Sequence, residues 1–322
     1  MRPSSDAVLQ EQFTAGAAVA IASSPVTLHL GVILPNYGQG LEAERLARVA
    51  VAAEEAGLDS AWATDHVVVP AEHARVYGTI AEALVSLGFL AGRTRTLELG
   101  VSALVVPQRQ PLVALKQLTT LDFLSGGRVV CAVAAGWMEG EFANLGAAFE
   151  RRGRLLDEWL DAAASAFRQM PGRVRFEGRL LSFDGWLAPG LVRPGGPELW
   201  VAGVSRATLR RAEKTGVWHP VALEPAELAT MAAAFRERRP DGRVVLRIGV
   251  SFEQEPQVGR DERGRHAIAG PPEWVAERLS EYVEAGSDGF VVNLTHDRPG
   301  LEERVRRFAE EVVPLVGGSE PE

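Results

Sequence analysis

The sequence predicts an α/β protein folded as a (β/α)8 TIM barrel, with an insertion between strands four and five. Three observations carry that prediction. Apolar strand-like runs alternate with helical patterns eight times along the chain. Several runs are near-continuously apolar, as in "RVVCAVAAG" and "DGFVVNL", which suits a parallel sheet covered on both faces. One helix-to-strand turn recurs: "EAGLDSAWAT" from Glu55 and "EAGSDGFVVN" from Glu284 both set Ala, Gly, any residue and Asp before an apolar strand. A doubly wound open sheet is the competing arrangement.

The elements follow in order. "LHLGVIL" gives a first strand over 28–34, stopped by Pro35. Residues 41–56 form a helix with Leu46, Val49, Ala50 and Ala53 on one face and Gly57 as its stop. Strands are then expected over 59–64, 97–103 and 129–135, with helices over 79–92, 110–124 and 150–169. Residues 170–197 break the rhythm: "VRFEGRLLSFDGW" reads as a small hairpin and "APGLVRPGGP" as an irregular loop. The alternation resumes with strands over 198–203, 217–222, 244–251 and 288–293, and helices over 205–215, 225–238, 272–285 and 300–313. The barrel is thus expected to occupy residues 27–316, between tails 1–26 and 317–322. The first tail contains "FTAGAAVAIASSP", but Asp6 and Glu11 precede it and Arg2 is its only early basic side chain, whereas a secretory signal wants a basic start. A loose tail is expected, and a chain shortened to begin at Val26 should fold with the same ligand affinity.

Composition removes several function classes. The chain has 322 residues, 46% hydrophobic and 24% charged, with a net charge of −8. That balance argues against nucleic acid or an anionic membrane surface as partner. No apolar run approaches the roughly 20 residues that span a bilayer. Cys131 is the single cysteine, so no internal disulfide is possible, in keeping with a cytoplasmic location.

Barrel active sites gather at the C-terminal ends of the strands. In this register Asn36 and Tyr37 follow strand one, and Asp65 and His66 end strand two. Ser102 and Ala103 end strand three; Gly136, Trp137 and Met138 follow strand four. Gly203, Val204 and Ser205 follow strand five, and Trp218 and His219 lie on strand six. His66 is the best placed general acid or base. Asp65 could fix its tautomer or hold a loop, and each could equally serve only a turn. Ser205 opens a helix, where backbone N–H groups suit a phosphate, although Ser is also an ordinary N-cap. "GQG" at 38–40 is too short for a dinucleotide fingerprint. His29, His66 and His73 show no metal-ligand spacing, so no metal is expected.

At this point the residues carry a resemblance. "GVILPNYG", "AEEAGLDSAWATDHVVVP", "LDFLSGGRV", "AAGWMEGEFANLGAAFERRGRLLDEWL", "ELWVAGVSRATLRRAEKTGVWHP" and "PPEWVAERLSEYVEAGSDGFVV" stand in an order and spacing that resemble the luciferase-like monooxygenase superfamily, in particular its coenzyme F420-dependent oxidoreductase branch. The likeness runs from about Leu30 to Leu315. It implies a bacterial luciferase-like barrel, often a homodimer, with the deazaflavin ring in its mouth. It implies a non-proline cis peptide at Ser102–Ala103 behind the ring, and His66 near ring and substrate. Asn36, Gly136 and Trp137 would join His66, Ser102 and Ala103 around the cofactor, whose phosphate would sit at Gly203, Val204 and Ser205. Trp137, Met138, Trp218 and His219 would face a small, apolar organic substrate. Hydride transfer to or from F420 is the expected chemistry. An FMN-dependent monooxygenase using oxygen is the alternative, and a catalytically silent flavin-binding barrel or a metallohydrolase are remoter ones. The sequence departs from its relatives at Ala202–Gly203, where many have Gly-Gly, at Gly216–Val217–Trp218, where many have Asp-Gly-Trp, and in a short loop after Pro70.

Overall fold

The computed structural model describes residues 28–260, 265–295 and 298–317. The expected tail 1–26 lies outside the described residues, as does all of 317–322 except Gly317. Eight parallel strands close into a barrel: β1 His29–Ile33, β2 Ser60–Ala63, β3 Glu98–Val105, β4 Val129–Ala134, β5 Glu198–Ala202, β6 Val217–His219, β7 Arg243–Phe252 and β8 Gly289–Asn293. Neighbours pair in sequence order, β6 pairs with β7, and β8 returns to β1, which closes the ring. The open-sheet alternative is thereby set aside.

Helices stand where the sequence places them, shortened by a residue or more at most ends. They are α1 Ala43–Glu55, α2 Ala83–Ala91, α3 Pro111–Ser125, α4 Arg152–Gln169, α5 Arg206–Thr215, α6 Pro225–Arg238, α7 Pro272–Glu284 and α8 Leu301–Arg307. The insertion after α4 is the expected hairpin, Gly172–Glu177 paired antiparallel with Ser182–Leu187. One pair of strands was not foreseen: His266–Gly270 adds parallel to β7, and Gln257–Arg260 pairs antiparallel with it. Among the described residues no helix is long and apolar enough to cross a membrane.

Two apolar layers follow from the period-two alternation of the strands. Val129, Cys131 and Val133 of β4 face the helices, while Val130 and Ala132 face the barrel axis. Ile33, Trp62, Trp200, Val245 and Val291 fill that axis. Trp62 fits because two neighbours lack side chains: a Cβ on Gly100 would lie 2.4 Å from the indole, and one on Gly31 2.6 Å from it. The interior is therefore a packed plug, and any ligand must sit above it, at the C-terminal end.

Candidate active site

A cavity of about 1320 Å³ opens at that end. Its wall includes Asp65 and His66 from the end of β2, Ser102 and Ala103 from β3, and Gly136 and Trp137 after β4. Gly203, Val204 and Ser205 after β5 complete the set. These predicted site residues are brought together.

His66 is buried, and its Nδ1 lies 2.8 Å from Oε2 of Glu141. Glu141 is fully buried and also receives the Val67 N–H at 2.5 Å and the Gln108 amide at 2.9 Å. Burial alone pushes its carboxyl up, but the bonds from His66, Val67 and Gln108 outweigh that and hold it at about 2. Glu141 is thus a carboxylate, an acceptor only, so the proton between the pair sits on His66 Nδ1. The Nε2 of a neutral His66 is then an acceptor, on a ring that lines the cavity. Tyr77 packs on this ring with centroids 4.3 Å apart, and Trp137 meets its edge at 6.2 Å.

Asp65 does not orient His66. Its two oxygens take the Arg109 guanidinium at 2.6 and 2.8 Å, and one also takes the Val105 N–H at 2.9 Å. Burial pushes the Asp65 carboxyl up, against Arg109 and the Val105 N–H. Arg109 reaches on to Glu82 at 2.8 Å, and Glu82 caps α2 through Val85 N–H. Asp65 is therefore a strut between β2, β3 and α2.

The peptide Ser102–Ala103 is cis, and the β3–β4 register shifts there. His219 lies beneath this bulge, fully buried and outside the cavity wall. Its Nδ1 is 2.6 Å from the Val245 carbonyl, which can only accept, so Nδ1 carries the proton. Nε2 then accepts from the Ser102 hydroxyl at 2.8 Å. Burial, helped by the nearby Arg247 charge, pushes His219 down to about 3.

Three further expectations are corrected by placement. Trp218 is fully buried on the helix side of β6, where its Nε1 donates to the Gly203 carbonyl at 2.8 Å and its ring meets Phe235. Met138 is buried at 3% exposure and outside the cavity wall, and with Trp218 and His219 it leaves the substrate set. Asn36 also lies outside that wall: its amide accepts Thr64 N–H at 2.9 Å and donates to the Thr64 and Ala81 carbonyls. It ties the end of β1 to that of β2.

Ser205 caps α5, its Oγ accepting Thr208 N–H at 3.1 Å. The N–H groups of Arg206 and Ala207, in the first turn, have no helical acceptor. Gly203 beside them has φ +126, and a Cβ there would lie 2.9 Å from Thr208 Oγ1. Around this helix start the sequence reading missed a set of arginines. Arg152, Arg154, Arg210 and Arg211 all line the cavity. Arg211 is held by Asp157 at 2.7 Å, and Arg152 lies over the Phe149 ring and donates to the Gly136 carbonyl at 3.2 Å. The missed signal was "ERRGRLLDEWL" with "SRATLRR", whose arginines recur at helical spacing. Among the described residues no group of three His, Cys, Asp or Glu could hold a metal ion.

Comparison with known proteins places this geometry. The alkanal monooxygenase alpha chain of the Kryptophanaron alfredi symbiont is 24% identical over 184 residues, 57% of this chain and 49% of that protein. The chain spans about half the length of the first curated relatives it matches. The coenzyme F420-dependent tetrahydromethanopterin reductase of Methanopyrus kandleri has a similar fold, with TM-score 0.74 and 16% identity over 89% of this chain and 99% of that one. So has an F420-dependent secondary alcohol dehydrogenase in complex with an F420–acetone adduct, with TM-score 0.71 and 17% identity over 91% of this chain and 100% of that one. The model of the luciferase-like monooxygenase family matches residues 26–263, and the chain belongs to that family.

Proposed function

We propose that this chain is an oxidoreductase that binds coenzyme F420 in the barrel mouth and exchanges hydride between it and a small organic substrate. The observation that carries the reading is the pairing of two features in one cavity. His66, with its proton fixed on Nδ1 by Glu141, lines one wall, and an arginine-rich helix start forms another. When bound, the deazaflavin supplies the hydride chemistry.

This chain's residues do the rest. The N–H groups of Arg206 and Ala207, at the positive end of α5, suit a phosphate. Arg152, Arg154 and Arg210 give more positive charge than one phosphate needs. That suits a tail in which a phosphodiester is followed by carboxylates, and favours F420 over FMN, whose tail ends in a single phosphate. His66 Nε2 accepts a proton from a substrate hydroxyl as hydride leaves the substrate, and in the reverse direction returns it. Glu141 steadies the imidazolium formed in between. Of the side chains that suggested an apolar substrate only Trp137 lines the cavity, so no polarity of substrate is proposed from them. The two alternatives without this chemistry gain no support from the site: a silent barrel has no use for the His66–Glu141 couple, and no ligand set for a hydrolytic metal has been found among the described residues.

Separate titrations of the protein with F420 and with FMN test the reading. Binding of F420 at least tenfold tighter than FMN supports it. Tighter binding of FMN transfers the site to a flavin monooxygenase, and binding of neither removes the cofactor assignment altogether.

A further inference from the structure

Asp65 and His66 stand side by side at the end of β2, and a single turn holds both. That turn, Val106–Gln108, directly follows β3. Arg109, which closes it, takes the two oxygens of Asp65. Gln108, one residue earlier, reaches His66 at one remove. Its amide Nε2 donates to Oε2 of Glu141 at 2.9 Å, the same oxygen that His66 Nδ1 meets at 2.8 Å. Gln108 is buried at 7% exposure, Glu141 is fully buried, and neither lines the cavity. Gln108 therefore acts on a ligand in the cavity only through His66.

The orientation of the Gln108 amide is forced. A carboxylate accepts only, so the amide atom that faces Glu141 must be the N–H donor. That choice leaves Gln108 Oε1 buried with no hydrogen-bond donor among the described residues. A buried acceptor without a donor is costly, yet turning the amide over would set acceptor against acceptor. The side chain thus gives up one polar atom to keep the other on the carboxylate. The remaining donor to Glu141 cannot replace it. Val67 N–H meets Oε1 at 2.5 Å, but Val67 follows His66 in the chain, so the two move together. Gln108 is the donor that comes from another element, and Arg109 beside it is anchored to Asp65 and Glu82.

We propose that Gln108 is a positioning residue for His66: by holding the Glu141 carboxylate against Nδ1, it keeps the ring in the tautomer whose Nε2 is bare. The consequence for turnover rests on the reading that His66 moves the proton. Burial pushes the Glu141 carboxyl up, and the bonds from His66, Val67 and Gln108 hold it at about 2. A carboxylate so held leaves the Nδ1 proton in place when Nε2 receives one from the substrate. The ring then returns to the same tautomer after each cycle.

Nitrogen NMR of the ligand-free full chain, labelled in its histidine rings, reads the tautomer without any turnover. The His66 signals are those lost in His66→Asn. At about pH 9, where an ordinary imidazole is neutral, the unaltered protein should show Nδ1 protonated and Nε2 bare. Gln108→Met, of similar length but without the N–H, and Gln108→Asn, whose amide is one methylene short, should each show both tautomers in exchange. Turnover should fall about tenfold in each, the lower end of what a charge-assisted bond is worth, with F420 affinity unchanged. The assignment is overturned if folded Gln108→Met keeps the single Nδ1-protonated tautomer, or if the unaltered protein lacks it. Should Gln108→Met fail to fold, Gln108→Asn and the unaltered protein decide the matter by the same signals. A mixed tautomer in an unaltered protein that binds F420 removes the role of Gln108 alone, whereas a single tautomer without F420 binding overturns the cofactor reading and leaves that role standing.

Discussion

His66 and Glu141 are 75 residues apart in the sequence and 2.8 Å apart in space. The carboxylate fixes which ring nitrogen carries the proton, and so which one is left to work. If Nε2 moves the proton, His66→Ala and His66→Asn should each lower turnover by about 10²–10⁴-fold, the usual size of an acid–base contribution. Asn, being polar, should retain F420 binding better than Ala. Glu141→Gln, which loses a charge-assisted bond worth roughly 1.5–3 kcal/mol, should lower turnover by about tenfold to a hundredfold. Near-normal turnover in folded His66→Asn would return His66 to a purely structural role.

The same carboxylate links stability to pH. Glu141 is held at about 2 in the folded chain against an ordinary value of 4.5. Its stabilisation is therefore complete above the ordinary value and is lost as pH falls towards 2. By linkage the contribution is on the order of 2–3 kcal/mol. Melting temperature should drop between about pH 4.5 and pH 2 more steeply than in Glu141→Gln, which has no proton to take up. Parallel curves for the two proteins would show that Glu141 is not held low.

Asp65 and Arg109 are a buried ion pair, and removing the Asp65 charge leaves Arg109 with the part-exposed Glu82 as its remaining carboxylate partner. Asp65→Asn should destabilise the fold by about 3–5 kcal/mol, as measured by denaturant unfolding. F420 affinity in the folded fraction should change little. Selective loss of F420 affinity with normal stability would place Asp65 at the ligand instead.

Ser205→Asp keeps a good N-cap for α5 while adding a negative charge at the proposed phosphate position. The melting curve should hold and F420 affinity should fall by about tenfold to a hundredfold, the worth of a charge-assisted contact. Unaltered affinity would move the phosphate elsewhere in the cavity.

The homodimer expected from the family has a candidate face. Val85 on α2 and Val113 and Leu124 on α3 are exposed at 69%, 52% and 58%. Light scattering at micromolar concentration should give about twice the monomer mass, and Val113→Glu should halve it. A monomer in the unaltered protein removes the dimer.

The barrel was legible because its strands are apolar runs bounded by Gly, Asp and Pro, and because α1, α4, α5 and α7 each carry one apolar stripe. The loop residues at the strand ends were legible for the same reason: once the strands are placed, their C-terminal ends mark the mouth. What failed was finer. Trp218 and His219 are adjacent on one strand, so they point to opposite faces and could not both enter the mouth. Neither does, because His219 lies below the floor. Asn36 and Asp65 stand at the right depth, but their hydrogen-bonding capacity is spent on neighbouring backbone and on Arg109. Glu141 and Arg247 escaped notice because their partners lie 75 and 145 residues away, beyond any local pattern.

The column Ser102–His219–Val245 has a consequence for proton traffic. Each bond in it points one way, from the Ser102 hydroxyl through the ring to a backbone carbonyl that cannot pass a proton on. This column therefore passes no proton from the cavity floor into the barrel interior. Under the proposed chemistry, a proton taken up or released in the cavity would leave by the mouth that His66 lines and not through His219 into the barrel interior.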